Sequence, residues 1–219
     1  MEIQVLKRVL GANEDKAQQI RARLIDQRVL MVNLISSPGS GKTTLLEQSL
    51  RGLQDTYTIA VIEGDVATDQ DAQRLQPFNA QILLINTEGG CHLSSPSIET
   101  ALNTLDLGAL DLIFIENVGN LVCPAGFDLG EHAKVAVVST AEGDDKPAKY
   151  PLLFRQAQLV ILNKMDLLAH VNFDKERFYH NLQTLNADVP VIETSCTTGE
   201  GLKGWFDWVT TRVTDVQSL

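Results

Sequence analysis

The sequence predicts an α/β fold: a single doubly wound, mostly parallel sheet of about seven strands with an N-terminal helical extension. From about residue 28 onward, short apolar runs rich in Val and Ile alternate with helical patterns, which is typical of a parallel sheet covered on both faces. A glycine-rich loop joins the first of these runs to a helical pattern. No internal repeat, low-complexity tract or linker divides the chain, so one domain is the simplest interpretation.

The elements follow in chain order from these patterns. Residues 3–28 carry apolar residues at helical spacing, interrupted at GANED, where Asn13 is expected to cap a second helix. We therefore expect the helical extension to span residues 1–28 and the sheet domain to span residues 29–219. The expected strands are VLMVNLIS, YTIAVIEG, QILLINT, DLIFIEN, KVAVVST, LVILNK and VPVIETS.

The charge balance and the cysteine count exclude several classes of function. The chain has 18 basic and 28 acidic residues and a net charge of −10, which argues against a nucleic-acid partner, since a phosphate backbone requires clustered Lys and Arg. No apolar run approaches the roughly 20 residues of a membrane span, and no targeting pattern precedes the fold, so we expect a cytoplasmic protein with no membrane partner. The three cysteines, an odd number, are expected to be thiols in a reducing compartment.

Residues 36–44, SSPGSGKTT, follow an apolar run and open a helical pattern. They fit the phosphate-binding pattern G-x-x-x-x-G-K-S/T, except that Ser36 replaces the first glycine. In such a loop the backbone N–H groups at a helix N-terminus bind phosphate oxygens, the lysine reaches the β and γ phosphates, and the hydroxyl holds Mg²⁺. An ordinary strand–turn–helix is the alternative. The expected nucleotide-binding residues are Gly39, Ser40, Gly41, Lys42, Thr43 and Thr44.

A second motif, N-K-x-D, ends a later apolar run at Asn163 and indicates the base. Asp166 can accept two hydrogen bonds from the N1–H and the exocyclic amine of guanine, while the stem of Lys164 packs over the ring. Adenine lacks this donor pair, so the nucleotide is expected to be GTP or GDP and not ATP. The motif alone is loose, but TSCTTGEGL follows it and can offer a backbone N–H from Ser195 or Cys196 to the guanine carbonyl.

Two acidic residues end apolar runs on the phosphate side, where carboxylates of parallel strands face the ligand crevice. Asp65 is expected to bind Mg²⁺ or to orient the attacking water, and Glu116 to hold the metal ion. Gly119 could offer its N–H to the γ phosphate. Lys42, Asp65 and Glu116 are thus the expected catalytic residues, although solvated acids at strand ends are an equally simple interpretation of either acid alone.

The stretches GGCHLSS and NLVCPAG contain candidate ligands for a soft metal ion. Two thiolates and an imidazole, from Cys91, His92 and Cys123, suit Zn²⁺ or Ni²⁺ and leave a coordination position open. Their spacing proves no site, and the residues alone favour buried cysteines with an incidental histidine. Cys123, however, lies four residues after Gly119, so a rearrangement at the γ phosphate could move a metal ligand.

The chain resembles the HypB family, GTPases that assist nickel insertion during the maturation of NiFe hydrogenases. The resemblance covers nearly the whole chain and rests on stretches in the same order: SSPGSGKTT, EGDVATDQDAQRL, NTEGGCHL, ENVGNLVCPAGFDLGE, EGDDKPAKYP, NKMDL and SCTTGEGL. It implies a P-loop NTPase fold of the SIMIBI class, slow GTP hydrolysis and a homodimer with GTP bound. It also implies that Cys91, His92 and Cys123 form a nickel or zinc site at the dimer interface.

The resemblance implies partners as well: a HypA-like nickel metallochaperone as the source of metal and a hydrogenase large-subunit precursor as its destination. Some members of the family begin with a cysteine-rich or histidine-rich motif, and residues 1–20 here contain neither, so we expect dependence on the interface site and on the partner.

Two alternatives stay open. A urease-type nickel GTPase accessory protein would carry a C-P-H triplet, where this chain has Cys123, Pro124 and Ala125. A metal sensor or buffer would use the nucleotide only structurally. Within the chain, the segment EGDDKPAKYP is interpreted as a solvated loop, with Lys146 or Lys149 reaching a nucleotide as the other interpretation.

Overall fold

The computed structural model describes the backbone of residues 2–65, 70–87 and 89–219, and the side chains of residues 11–64, 73–87 and 89–219. It confirms the predicted fold class, because the seven expected strands form one parallel sheet. Their spatial order is β3-β2-β4-β1-β5-β6-β7. The strands are β1 (Leu30–Ser36), β2 (Ile59–Asp65), β3 (Ala80–Asn86), β4 (Leu112–Glu116), β5 (Ala133–Ser139), β6 (Leu159–Asn163) and β7 (Val191–Glu193).

Helices cover both faces of this sheet. They are α1 (Glu2–Asp26), α2 (Lys42–Leu53), α3 (Gln70–Leu75), α4 (Ser95–Leu102), α5 (Lys146–Lys149), α6 (Pro151–Gln156), α7 (Lys175–Leu185) and α8 (Leu202–Gln217). Of the helices in the described ranges, none combines the length and the apolar composition that a membrane span requires.

Strand β1 lies at the centre of the sheet and is buried along its whole length. Successive side chains of a strand point to opposite faces, so β1 contributes to cores on both sides. Leu30, Val32 and Leu34 pack with residues of α2 and α8. On the other face, Met31 packs with α1 and α4, and Ile35 packs with α6 and α7. This two-sided burial explains why the sequence of β1 is almost continuously apolar.

The direction of the strand order changes at β1, since β4, β2 and β3 extend to one side and β5, β6 and β7 to the other. In open α/β sheets, ligands bind in the crevice outside the carboxyl ends of the strands at such a point. After β1, the Ser40 carbonyl of the loop 37–41 accepts a hydrogen bond from Asn163 at the end of β6. Lys42, in the first turn of α2, donates to Glu116 at the end of β4. The topology therefore brings the two predicted nucleotide motifs together.

The N-terminal helix corrects one prediction. We expected an interruption at GANED with Asn13 as a helix cap, but α1 is continuous from Glu2 to Asp26. Asn13 is buried inside it, where its side chain donates to the Asp128 carbonyl at 2.8 Å and accepts from the Ser95 backbone N–H at 2.9 Å. The residue is polar because it joins α1 to two other segments, and not because it begins a helix.

Candidate nucleotide site and metal cluster

The loop between β1 and α2 has the geometry of an anion cradle. Gly39 and Gly41 adopt positive φ angles of 79° and 95°, which non-glycine residues rarely adopt. Gly41 is the N-cap of α2, yet no side chain caps this end and no acidic residue lies in the first turn. The backbone N–H groups and the positive end of the helix dipole are therefore available to phosphate oxygens.

Ser36, which replaces the usual first glycine, is accommodated by ordinary backbone geometry. It is the last residue of β1, and it is not among the described non-glycine residues with positive φ, which are Arg28 and Lys164. Its side chain is buried, and its hydroxyl donates to the Ser37 carbonyl at 2.9 Å. Ser36 therefore fits this position with an unstrained backbone and a hydrogen-bonded side chain.

Glu116 accepts hydrogen bonds from two side chains of the phosphate loop, Lys42 and Thr43. Its Oε1 accepts hydrogen bonds from Thr43 Oγ1 at 2.7 Å and from Lys42 Nζ at 3.0 Å, and the carboxylate is almost fully buried. The other oxygen, Oε2, is buried without a hydrogen-bond partner among the described residues. An oxygen donor set of one hydroxyl and one under-satisfied carboxylate fits Mg²⁺, which prefers oxygen ligands.

Strand β2 supplies a second carboxylate that the sequence analysis did not single out. Glu63 is aligned with Glu116 in the parallel pairing of β2 and β4, and both are buried in the lining of the nucleotide cavity. Asp65, the residue predicted for this strand, ends β2, but its side chain lies outside the described part of the chain. Glu63 precedes Asp65 by two residues in the same run, VIEGD, and the sequence alone does not mark it as a cavity residue.

The Gly119 segment touches the phosphate loop directly. A Cβ built on Gly119 would lie 3.1 Å from Pro38 Cγ and 3.3 Å from its backbone nitrogen. This is tighter than almost all real Cβ contacts, so a larger residue would push the loop after β4 away from the phosphate loop. The loop after β4 therefore lies directly against Pro38 of the phosphate loop at Gly119.

The N-K-x-D motif supports the phosphate loop from the base side. Asn163 Nδ2 donates to the Ser40 carbonyl at 2.9 Å, and Lys164 Nζ donates to the Gly39 carbonyl at 2.5 Å. Lys164 has a φ of 60°, unusual for a residue with a side chain, and Thr140 Oγ1 donates to its carbonyl at 2.7 Å. The surroundings thus hold a strained backbone at the point where a base would stack.

Asp166 lies exposed in the 3-10 turn Met165–His170 that follows β6. The Ser195 and Cys196 N–H groups, proposed from sequence for the guanine carbonyl, already have acceptors: Ser195 N donates to Glu200 O at 2.9 Å and Cys196 N to Asn163 Oδ1 at 3.2 Å. A guanine carbonyl would have to share or replace the longer of these bonds. Burial raises the pKa of Cys196 to about 11, so this residue is a neutral packing thiol.

Cavity volumes do not by themselves identify the site. The cavity over the phosphate loop has a volume of about 590 Å³ and is lined by residues 36–44, Glu63, Gly64, Arg74, 116–119 and Lys164. A second cavity of about 650 Å³ lies around the start of β5, between α1 and α6, and contains none of the predicted nucleotide motifs. We assign the nucleotide to the first cavity because the helix N-terminus, the lysine and the carboxylates converge there.

The three predicted metal ligands come together in space. The ligand atoms of Cys91, His92 and Cys123 all lie within 4.8 Å of one another, and each residue is half-buried. Ligands bound at about 2.3 Å to a tetrahedral ion lie about 3.8 Å apart, so the cluster needs only small side-chain rotations to bind one. The His92 ring stacks on Phe127 with centroids 3.8 Å apart, which fixes its orientation.

Protonation at the cluster favours the imidazole as a metal ligand, whereas the thiols must lose their protons to bind. A hydrogen bond with the Cys123 thiol, together with burial, raises the pKa of Cys91. Burial lowers the pKa of His92, so its imidazole is neutral at pH 7 and offers a lone pair. Two thiols and one neutral imidazole fit Zn²⁺ or Ni²⁺ and suit neither Mg²⁺ nor Ca²⁺.

Comparisons with known proteins decide the family. Residues 30–193 match the model of the CobW/HypB/UreG nucleotide-binding domain. A hydrogenase maturation factor HypB from Escherichia coli strain K12 is 48% identical over 204 residues, which cover 93% of this chain and 70% of that relative. The chain belongs to the HypB family of hydrogenase maturation factors.

Solved HypB structures share the fold. HypB from Archaeoglobus fulgidus is 35% identical, with a TM-score of 0.87 over 93% of this chain and all of that one (100%). HypB from Helicobacter pylori in complex with nickel is also 35% identical, with a TM-score of 0.88 over 93% of this chain and 96% of that one. The nucleotide-binding P-loop fold is thus that of HypB proteins.

In this HypB-family chain the structure also locates two residues near the phosphate loop that sequence reasoning missed or set aside. Arg74 lines the mouth of the nucleotide cavity and donates to Thr44 Oγ1 at 3.2 Å. Lys146, interpreted as part of a solvated loop, is only 16% exposed and lies 3.4 Å from Ser37 Oγ, whereas Lys149 is exposed and pairs with Asp145. The solvated-loop interpretation is therefore wrong for Lys146. The sequence indicated a role for Lys146 only through the position of DDKP, which follows the end of an expected strand.

Proposed function

We propose that this chain is a GTP-hydrolysing metallochaperone that assists nickel insertion in the maturation of NiFe hydrogenases. GTP closes a homodimer, and the dimer gathers Cys91, His92 and Cys123 from both chains around nickel or zinc. Hydrolysis to GDP and phosphate loosens the arrangement, and the metal passes onward. One observation carries the proposal. The segment 116–123 begins at the nucleotide cavity and ends at Cys123, which belongs to the metal-ligand cluster.

The phosphate loop and the strand ends perform the chemistry in this proposal. Lys42 neutralises charge on the β and γ phosphates as it leaves its ion pair with Glu116. Thr43, Glu116 and Asp65 would hold Mg²⁺, which when bound neutralises the developing charge of phosphoryl transfer to water. Asp65 or the buried Glu63 orients the attacking water from β2. The Gly119 N–H contacts the γ phosphate and reports its loss.

The base side selects guanine. Asp166 accepts from the guanine N1–H and amine, and Lys164 packs over the ring while it bonds to the Gly39 carbonyl. Asn163 holds the phosphate loop and the TSCTTGEGL segment together, because its amide donates to Ser40 O and accepts from the Cys196 N–H. These contacts make base recognition and phosphate binding one cooperative unit.

Nickel is the cargo of the proposed reaction. The half-buried position of the Cys91, His92 and Cys123 cluster leaves it accessible to a second copy of the chain. A HypA-like nickel metallochaperone supplies the metal, and the hydrogenase large-subunit precursor receives it. Coordination by thiolates and imidazole from two chains would bind metal more tightly than either chain alone.

The test measures dimer mass, bound nickel, bound zinc and GTP turnover in parallel, with GDP and with a non-hydrolysable GTP analogue. We expect the analogue to double the mass and to raise nickel affinity, and we expect Lys42→Ala to abolish both GTP turnover and the response to nucleotide. The double variant Cys91→Ala with Cys123→Ala should lose the bound metal.

Two outcomes would contradict the proposal. Metal content and affinity that are equal in both nucleotide states and survive the double cysteine variant would remove the coupled site. An absence of GTP turnover in the native chain would favour the sensor or buffer alternative, in which the nucleotide is structural.

A further inference from the structure

A single buried amide joins the loop that follows β4 to the segment that carries two of the metal ligands. Asn117 directly follows Glu116 and is 1% exposed. Its Oδ1 accepts from the Val118 backbone N–H at 3.0 Å and from the Leu93 backbone N–H at 3.4 Å. Leu93 is the residue after His92. One carbonyl oxygen therefore holds the backbones of the nucleotide-facing loop and of the Cys91–His92 segment together.

The other side of the same amide is fixed to the centre of the sheet. Asn117 Nδ2 donates to Asn33 Oδ1 at 3.2 Å, and Asn33 Nδ2 donates to Glu131 Oε1 at 3.2 Å. The second oxygen of Glu131 accepts from the Leu129 N–H at 2.6 Å. Backbone donors lie at one end of this series of hydrogen bonds and a carboxylate acceptor lies at the other, so the direction of every bond is determined. A flip of the Asn117 amide would lose all three of its bonds.

Contacts on either side extend the connection in both directions. Toward the nucleotide, Gly119 lies against Pro38 of the phosphate loop. Toward the metal ligands, the Leu93 side chain is buried against Gly64, where an added Cβ would approach Leu93 Cγ to 2.8 Å. A displacement of the 116–119 segment that leaves Leu93 in place would therefore break this buried hydrogen bond, which is unfavourable.

We infer that Asn117 is a positioning residue that couples the state of the γ phosphate to the two metal ligands Cys91 and His92 through the Leu93 N–H. The inference rests on the proposed function and deepens it. Cys123 follows Gly119 by four residues and can move with it through the chain itself. Cys91 and His92 belong to a separate segment, and Asn117 makes them move together with Cys123. The three ligands then change geometry as one unit.

A merely structural buried asparagine would give a different result. Its loss would lower stability and would weaken nickel binding equally in both nucleotide states. A coupling residue instead changes the ratio of nickel affinities between the two states, because coupling is a difference of free energies. The ratio is therefore the quantity to measure.

The experiment uses the full chain and determines nickel affinity, by competition with a chromogenic chelator, in the presence of GDP and of a non-hydrolysable GTP analogue. In Asn117→Leu, whose branched side chain has the same number of heavy atoms but no hydrogen-bonding group, the ratio of the two affinities should fall to about one. In Asn117→Asp one carboxylate oxygen still accepts from Leu93 and Val118, while the donor to Asn33 Oδ1 is lost, so part of the native ratio should return. Ser49→Ala is the matched control, since it deletes a buried hydrogen bond to Trp205 on the opposite face of the sheet and should leave the ratio unchanged.

The outcomes separate this inference from the proposed function. Equal affinities in both states of the native chain would contradict the proposed function itself. A native chain that responds to nucleotide, together with an Asn117→Leu variant that responds equally, would overturn the role of Asn117 alone. If Asn117→Leu does not fold, Asn117→Ser takes its place, because the shorter side chain cannot reach the Leu93 N–H and should also bring the ratio to about one.

Discussion

At the scale of single residues, Gly41 and Asn163 restrict each other although they lie 122 positions apart. A Cβ on Gly41 would occupy the place of Asn163 Nδ2, the atom that bonds to the Ser40 carbonyl. The glycine is thus required both by its φ of 95° and by the amide beside it. The phosphate loop and the base motif are one structure, and a change in either should affect binding of the whole nucleotide.

The change Asp166→Asn tests base recognition. An asparagine amide donates where the carboxylate accepted, so it opposes the guanine N1–H and amine but matches the additional carbonyl of xanthine. The preference of turnover for GTP over xanthosine triphosphate should fall by about 100-fold, the value of two unmade hydrogen bonds. The measurement is kcat/KM for both nucleotides.

The control is Asp174→Asn, the same change at the N-cap of α7, where asparagine caps a helix as well as aspartate does. It should not alter the preference. An unchanged preference for GTP in Asp166→Asn would remove Asp166 from the base site.

At the scale of residues, the sequence indicates candidate side chains where they lie in a short motif and fails to indicate those that depend on distant partners. The Lys42–Thr43 pair was indicated by a short motif. The residues alone did not favour a metal site at Cys91, His92 and Cys123, which the family resemblance implied and whose ligand atoms the structure brings within 4.8 Å of one another. Glu63 was missed because only its pairing with Glu116 across two strands shows that it faces the nucleotide cavity. Likewise, no pattern marks Asn117, whose partners are backbone groups of other segments.

At the scale of elements, the attachment of α1 depends on one glycine in the loop before β5. Gly130 has a φ of 84°, and an added Cβ would lie 2.6 Å from Ile20 Cγ2 and 2.8 Å from the Ala17 carbonyl. Gly130→Ala should lower the free energy of unfolding by about 2–4 kcal/mol, from the strain of a left-handed alanine plus overpacking against α1. Urea unfolding gives the stability, and native-state trypsin cleavage at Arg21 or Arg23 reports detachment of the helix.

Gly199→Ala is a matched control for this prediction. Gly199 has the same φ of 84°, but nothing lies within 4 Å of an added Cβ. Its replacement should cost about 1 kcal/mol, from backbone strain alone, and should leave α1 protected. Equal losses in the two variants would show that the contact with α1 contributes nothing.

The elements themselves were largely predictable, because apolar runs and glycine-rich turns reflect local burial and backbone geometry. All seven strands appear where the Val- and Ile-rich runs predicted them. The continuity of α1 was not predictable, since Asn13 is satisfied by Ser95 and Asp128, which lie 82 and 115 residues away. A capping residue and a buried bridging residue look the same in one sequence.

At the scale of the whole molecule, acid stability depends on an imidazole held between β1 and β5. His132 Nδ1 accepts from the Met31 N–H at 3.0 Å, and His132 N donates to the Met31 carbonyl at 2.8 Å. Burial, with the charge of Arg21, lowers the pKa of His132 to about 4. A proton on Nδ1 would also break the bond from Met31. The fold therefore favours the neutral ring.

The sign of the pH dependence follows from this depressed pKa. The unfolded chain takes up a proton on His132 near pH 6.5 and the folded chain only near pH 4, so the contribution of this group is complete above pH 6.5 and is lost as the pH falls toward 4. Between pH 7 and pH 5 the loss should be about 2 kcal/mol. Burial raises the pKa of the neighbouring Glu131, which acts in the opposite direction and requires a comparison between variants.

His132→Asn isolates the imidazole, because Asn Oδ1 can accept from the Met31 N–H in place of Nδ1 and does not titrate. Urea unfolding at pH 7 and pH 5 should show that the native chain loses about 2 kcal/mol more than this variant over the interval. His180→Asn makes the same change at an exposed position of α7 and controls for the loss of a histidine as such. If the native chain and His132→Asn lose stability equally, the buried ring does not cause the loss of stability in acid. The carboxylates of this chain, whose net charge is −10, would then have to account for acid unfolding.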